Sequence, residues 1–597
     1  MPTTTLARAP VRTCGSVVYV VMSGAYPRRP ARTRVAATSM LVNRRLVGHG
    51  ARMDSRAVPE PAVDRVADAM GEMDTDAIVI GSGPNGLVAA NLLSDQGWRV
   101  QVIEAQPVIG GAVQSDEAVR PGWVHDTFSS FYPLAAASPT IQGLGLERHG
   151  LEWVHAPAPV GHSLVDGSWA VIDRDRERTA VGLDALEPGD GAAWLRLCEF
   201  WDRIGTEVME ALLTPFPPLR AGARLATKLP RLGGMAGLRQ LALPVRRLGD
   251  EWFRGDAPKL LLAGNAAHAD IGVDSPGSGL MGLLLCMLGQ NHGFPVPKGG
   301  AGMLAAALAR RLESNGGTIL TGCRVDEVLV RDGRAVGVRL DTGDSIRADR
   351  AVLADVSATA LYGDLVPWSV LPTKVRDRMS SFDWDPGTVK VDWALSGPVP
   401  WRTPPASMPG TVHLADSVAD LAASGAQLRS GRLPQRGLVI IGQMATTDPS
   451  RAPEGAESLW AYAHVPHRSA GLGDDELEGF VDNMESRLAD QAPGFRDLVL
   501  ERRVLGPSDL HRLDENLVGG SVNGGTASVH QQLFWRPMAG GGRAETPIDG
   551  LYLASASAHP GGGVHGACGA NAARAALFHD RLGRFRPLGR SALPIGR

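Results

Sequence analysis

Short apolar runs broken by glycine turns recur along the chain, and the first to specify an architecture lies at 76–104. Asp76-Ala-Ile-Val-Ile80 is a brief, almost wholly apolar run, as a strand buried on both faces requires. Gly81-Ser-Gly83-Pro-Asn-Gly86 follows, then apolar residues at helical spacing from about Leu87 to Gln96, where Gly97 ends the helix. Arg99-Val-Gln-Val-Ile103 is a second strand and closes on Glu104. Strand, glycine turn, helix, strand and acid in this order predict a βαβ unit.

Beyond it the periodicity changes. Residues 182–247 space Leu, Trp and other apolar residues helically, broken by Pro215-Phe-Pro-Pro218, and predict a helical insertion. Gly279 to Gln290 is apolar nearly all round, which predicts a buried helix, with a tunnel lining or a lipid-facing surface as the alternative. After Gly299-Gly-Ala-Gly302 a helix to about Ser314 is followed by strands at 318–320, 325–330, 335–340, 345–348 and 350–354, with hairpin turns at 331–334 and 341–344. Residues 388–465 mix candidate strands with polar loops and suggest a second, sheet-containing lobe; 550–554 is a strand and 567–578 a small-residue helix. The expected organisation is an N-terminal extension at 1–73, disordered or not normally made; nucleotide-binding segments at 74–155, 298–360 and 536–597; a helical cap at 156–297; and a substrate-lobe sheet at 361–535.

Composition narrows the chemistry. Among 597 residues, 44% are hydrophobic and 21% charged, which disfavours a wholly disordered chain. Lys plus Arg total 60 against 63 Asp plus Glu, so no basic excess points to nucleic acid. Only five of the 60 basic residues are Lys, a usage that suggests a GC-rich, bacterial genome. Cys14, Cys198, Cys286, Cys323 and Cys568 form no close pair, so no disulfide framework, thiolate zinc site or redox dithiol is expected. No metal is predicted elsewhere either, because His268-Ala-Asp270 lacks further spaced ligands. No apolar run reaches the roughly 18 to 20 residues of a spanning helix. The first 53 residues hold nine Arg and no acid, and read as a transit-like presequence, a signal peptide around Ser16 to Met22, or a tail from an upstream start codon ahead of Met73. The expected compartment is the bacterial cytoplasm, with organellar targeting as the alternative.

In its strand-turn-helix context the motif predicts a bound dinucleotide. Gly81 permits the tight turn, Gly83 the approach of a pyrophosphate and Gly86 close helix–strand packing, while the helix that starts at Pro84 offers free N–H groups from Asn85 onward. Glu104 suits a ribose diol and repels a 2′-phosphate, leaving FAD or NAD. A second glycine turn, Gly110-Gly111-Ala112, and the absence of a second strand-linked fingerprint favour non-covalent FAD. Cys568 is the one thiol placed for a covalent link, and a plain core thiol is the preferred reading.

Residues 76–112, 296–356 and 550–576, above all the AHPGGGV run at 558–564, resemble the phytoene desaturase and carotenoid isomerase branch of the flavin amine oxidase superfamily, and most closely the pyridine nucleotide-disulphide oxidoreductase domain-containing protein 2 family. The resemblance implies an α/β fold: a discontinuous Rossmann-type FAD domain of the p-hydroxybenzoate-hydroxylase type, with an inserted α+β substrate domain. It implies that Gly81, Gly83, Gly86, Glu104, Gly110 and Gly111 hold the ADP half of FAD, that the Val325 backbone meets the adenine, and that Gly562, Gly563 and Val564 present N–H groups to the flavin ring. Disulphide chemistry is rejected for want of a cysteine pair. Ala112 stands where amine oxidases place an Arg, which demotes amine oxidation.

His565 and His559 bracket the flavin-facing glycines and Lys298 precedes another glycine turn, so these three are the candidate proton carriers, with helix capping and solvation as the plainer readings. The activity expected is FAD-dependent desaturation, saturation or isomerisation at a C–C bond of an apolar isoprenoid- or acyl-type substrate. Amine or amino-acid oxidation and a flavin-binding interaction protein are the alternatives; a peripheral membrane contact and a homo-oligomer stay open.

Overall fold

The computed structural model describes residues 12–13 and 75–584. The N-terminal extension assigned to 1–73 lies, apart from that pair, outside the described residues. From Thr75 onward the chain builds two main sheets. In the first, strands Thr318–Thr321, Val100–Ile103, Ala77–Ile80, Ala351–Ala354 and Leu551–Leu553 lie side by side in that order and all run parallel. Their brevity and apolar content suit a sheet covered on both faces, and Ile78, Val79, Val102 and Leu353 are fully buried. The strands come from three widely separated stretches, so one nucleotide sheet is interrupted twice by long excursions.

The helix Pro84–Ser94 leaves the first strand through the glycine turn and packs on the last helix, Ala567–Arg584. They meet backbone to backbone: a Cβ on Gly569 would lie 1.9 Å from the Asn85 carbonyl oxygen. A small residue at that crossing is therefore a steric requirement, and the Ala-rich face of 570–576 fills the rest of the contact. Asp332 at φ +49° and Gly333 at φ +76° form the primed turn joining Val325–Arg331 to Arg334–Leu340.

The second sheet runs Val499–Leu505, Gly387–Leu395, Glu457–Val465, Val439–Gln443, Pro409–Leu414, Ala158–Ser163, Trp169–Ile172. Its pairs are antiparallel except where 409–414 meets 158–163. The last two strands fall inside the stretch expected to be a helical cap. Pro159, Gly161 and His162 hide the strand signal in 158–163, and Gly161 is needed because a Cβ there would meet the Pro409 ring at 2.8 Å. Period-two alternation gives this sheet two unlike faces. Leu459, Ala461, Ala463 and Val465 pack with Val389, Val391 and Trp393 toward the helix Asp474–Gln491. Ser458, Trp460, Tyr462 and His464 point the other way, where the helices Asp190–Leu213, Asp256–His268 and Ser278–His292 cover part of the face. The apolar segment 279–290 lies within the last of these and is buried except at the half-buried Leu280 and Met281.

Candidate flavin site

The site begins with two glycine turns laid against each other. Gly81 adopts φ +92°, and its N–H closes on the Ile103 carbonyl at 2.8 Å, tying the turn to the neighbouring strand. Gly110 and Gly111 adopt φ +115° and +52°; the Gly110 N–H donates to the Ser82 carbonyl at 3.1 Å, and a Cβ on Gly111 would lie 3.1 Å from the Gly83 Cα. The turns therefore carry no side chains of their own beside the helix start, where the Asn85 N–H is presented and Asp355 Oδ2 accepts the Gly86 N–H. Ala112 continues from the second turn, its carbonyl accepting from Ser129 Oγ at 2.6 Å.

Glu104 accepts from Ser82 N–H at 2.8 Å, from Ser82 Oγ at 2.7 Å and from Gln106 N–H at 2.8 Å, which fixes its carboxylate at the end of its strand. Cys323 N–H donates to the Glu104 carbonyl at 2.9 Å, so the segment leading into Val325 runs past this acid. The buried Asn85 Oδ1 has no hydrogen-bond partner within the protein. An open glycine cradle, a helix start and an orphaned acceptor together fit the ADP half of FAD.

The other half of the site is the loop before the last helix. Gly561, Gly563 and Val564 take φ +116°, +120° and +56°, a conformation that is costly for a β-branched valine. Gly563 is exposed whereas His565 is buried, so the loop turns its backbone outward and its histidine inward. A Cβ on Gly562 would meet Asn523 Oδ1 at 2.6 Å, so the loop is pressed onto the 519–525 segment.

The surroundings of His565, His559 and Lys298 favour the plainer readings, capping and solvation, over that of proton carrier. His565 Nδ1 accepts the Ala567 N–H at 3.0 Å at the start of the last helix, and burial pushes its pKa down to about 4. His559 Nε2 bonds the Thr214 carbonyl at 3.1 Å, and burial holds it at about 4 as well. Both are neutral near pH 7 and act as braces for the loop. Lys298 is 51% exposed and paired with Glu152 at 3.1 Å, a solvated lysine. Burial raises the Cys568 thiol to about 12, so it holds its proton, as a non-covalent flavin allows.

The charged groups that do gather at the site come from elsewhere. Asp355 and Asp514 stand beside the glycine turns. On the polar face of the second sheet, His464 Nε2 lies 2.7 Å from Asp270 Oδ1, and Asn523 Nδ2 donates to Asp270 Oδ2 at 2.5 Å. Burial works against a charge on His464, but the Asp270 carboxylate outweighs it and raises its pKa. Burial, then the nearby Asp270, pushes Asp385 up, although its Oδ2 accepts N–H groups from Val522 and Asn523 at 3.0 Å each. Lys390, ion-paired with Asp392 two residues on, is buried on the same face and lowered by burial. Asp355 directly follows an apolar parallel strand, a position that flags ligand-facing residues. Nothing local distinguishes His464 or Asp270, which are joined only by the fold.

A cavity of about 550 Å³ is lined by Trp201, Met209, Leu213 and Thr214 of one chain stretch and Met287 and Leu288 of another, together with the charged Asp202, Glu210 and Arg574. Thr214 is the residue whose carbonyl holds His559, so the cavity wall and the flavin-facing loop share a hydrogen bond. Among the described residues no helix is long and apolar enough to cross a membrane.

The family described as flavin containing amine oxidoreductase matches residues 85–577. A rat protein, "Pyridine nucleotide-disulfide oxidoreductase domain-containing protein 2", is 30% identical, with 89% of this chain and 99% of the relative covered. A neurosporene-forming phytoene desaturase of Cereibacter sphaeroides is 25% identical over 87% of this chain and 96% of its own length. Among solved structures, an oxidoreductase from Methanosarcina mazei superposes with a TM-score of 0.56 at 17% identity, covering 84% of this chain and 99% of that one. Cyclohexylamine oxidase from Brevibacterium oxydans does so with 0.52 at 17%, covering 85% and 100%. These two show the fold. With the cradle, the loop and the match over most of its length in agreement, the chain belongs to the flavin containing amine oxidoreductase family and is an FAD-dependent oxidoreductase.

Proposed function

We propose that the protein removes or adds hydrogen at a C–C bond, or isomerises one, in an apolar isoprenoid- or acyl-type substrate. The observation that supports this most is the apolar stretch of the cavity wall, Trp201, Met209, Leu213, Met287 and Leu288, which the wall shares with Asp202, Glu210 and Arg574 and with Thr214, the residue bracing the flavin-facing loop. Apolar walls of this kind recognise hydrocarbon, and desolvation of the bound chain supplies the affinity. The similarity to a phytoene desaturase supports the same substrate class. FAD, when bound, supplies two-electron hydride chemistry.

The protein's part is placement. The glycine turns hold the ADP half, Gly562, Gly563 and Val564 turn backbone toward the ring, and neutral His559 and His565 fix that loop without adding charge beside an apolar substrate. Holding a C–H bond in line with the cofactor is the main catalytic requirement of such a reaction. The buried, unpaired thiols of Cys198, Cys286 and Cys568 suit a reducing compartment such as the bacterial cytoplasm.

Anaerobic reduction of the holoprotein with dithionite, followed by an acyclic polyene, tests the reading: reoxidation of the flavin by the polyene is expected. Indifference to polyenes, with rapid flavin reduction by primary amines and release of peroxide and ammonia in air, overturns it in favour of amine oxidation. The buried carboxyls Asp270 and Asp385 next to Asn523 are the feature that favours this second reading.

A further inference from the structure

Three acids crowd the place where the FAD pyrophosphate must lie, and among the described residues no cationic side chain bonds the two that flank the helix start, Asp355 and Asp514. Glu104, Asp355 and Asp514 are each at most 8% exposed. Asp355 Oδ2 accepts the Gly86 N–H at 2.7 Å and stands 2.6 Å from where a Gly83 Cβ would be. It occupies the mouth of the same helix start that a dinucleotide uses. Asp514 closes from the other side, its Oδ2 lying 3.5 Å from a Gly111 Cβ position. Glu104 is already saturated by Ser82 and Gln106.

Among the described residues no Lys, Arg or His side chain bonds Asp355 or Asp514. The Asp355 carboxyl accepts the Gly86 N–H and the Asp514 carboxyl accepts the Asn516 N–H at 3.0 Å, while Asn516 Nδ2 donates to the Asp355 carbonyl at 3.2 Å. Arg324, within the influence of Glu104, is held by both oxygens of Glu515, and Ala112 follows the second glycine turn. The remaining titratable neighbour, Cys568 in the last helix, is a thiol that holds its proton. A pyrophosphate brought into this ring adds two negative charges to three acids, which is affordable in a buried site only if some of the acids are neutral.

We propose that Asp355 is a cofactor-positioning residue that holds FAD as a neutral carboxyl, so that FAD uptake is coupled to proton uptake, with Asp514 as the secondary site. As an acid with a proton to donate, Asp355 offers the pyrophosphate a hydrogen bond; as a carboxylate it repels it and keeps the Gly86 N–H for itself. Burial raises Asp355 to about 8, helped by Asp514 and Glu104, and raises Asp514 to about 6. The sign follows: below pH 8 the neutral form is in place, and as pH rises the proton must be taken from solution for FAD to stay.

FAD release from the holoprotein, read by the gain of free-FAD fluorescence on dilution at pH 6 to 9.5, tests this. Kd is expected to rise by up to about tenfold per pH unit above pH 8, the limit for one linked proton. Asp355→Asn, which has an N–H donor at every pH, is expected to flatten this rise and to bind FAD more tightly than the unaltered protein at pH 9.5. Asp514→Asn is expected to leave the rise above pH 8 in place. A flat profile in the unaltered protein, or the same steep profile in Asp355→Asn, overturns the proposal, as does abolition of the profile by magnesium, which would make the acids a cation site. Purified protein without flavin at any pH would instead refute the FAD assignment itself.

Discussion

The flavin cradle and the polar face of the second sheet lie in one protein but are made by different means. The cradle is backbone: its donors are N–H groups of a helix start, its shape is the absence of side chains at Gly81, Gly83, Gly86, Gly110 and Gly111, and most of it comes from thirty-odd consecutive residues. The polar face is side chain: His464 sits on one strand, Asp270 just past a helix, Asn523 in a loop, and each owes its neighbours to the other two. Backbone recognition tolerates no added atoms, and at this cradle its electrostatics are set by acids that come from other parts of the chain. Side-chain recognition survives small changes of shape and fails when one partner of a buried pair is removed.

Gly83→Val should break the cradle most completely. Its Cβ would start 2.6 Å from Asp355 Oδ2, with two further methyl groups in the phosphate path. Flavin content of the purified protein, read by absorbance, is expected to fall below about a tenth of the unaltered level, because the N–H groups of the helix start are then blocked. Retention of normal flavin would show that the pyrophosphate lies elsewhere.

His464→Gln tests the other region. Removing one member of a buried ion pair costs about 3–5 kcal/mol. Because Asp270 raises the folded pKa of His464, the pair's contribution is fully present below the ordinary histidine pKa and is lost as pH rises through the raised value. The gap in melting temperature between unaltered and variant protein should therefore be wider at pH 6 than at pH 9. An equal gap at both would mean that the ring is only packed there.

Gly569→Ala probes the crossing that joins the cradle to the flavin-facing loop. A methyl group 1.9 Å from the Asn85 carbonyl must push the two helices apart, an overpacking cost of about 1–3 kcal/mol, seen as a lower melting temperature with weakened flavin retention. Lys298→Gln, at the small end, should change stability by less than about 0.5 kcal/mol and leave flavin content untouched, since its partner Glu152 is as exposed as it is. A marked loss of flavin in that variant would return Lys298 to the site.

The same contrast explains what could be read before folding. The βαβ unit, Glu104 and the second glycine turn were legible because the residues that meet are neighbours in the chain, and the structure places the two turns in contact. The strand at 551–553 was legible as an element, but its place beside 351–354 is a matter of topology. The strand at 158–163 was misread because Pro159, Gly161 and His162 interrupt the alternation that its partners supply. Whether His559 and His565 carry protons or cap the loop stayed open in the sequence, since a histidine's charge depends on burial that the sequence does not display; their burial favours the capping reading.

By itself, the sequence determined the cofactor class and the local form of its cradle, because glycine spacing and an acid at a strand end act over a few residues through steric exclusion and hydrogen bonding. Only the tertiary structure decided which acids face that cradle and which histidine has its charged form favoured by a neighbouring carboxylate. Asp355 and Asp514 come to the glycine turns from distant parts of the chain, and the low-dielectric interior that shifts their protons exists only once those parts have packed together.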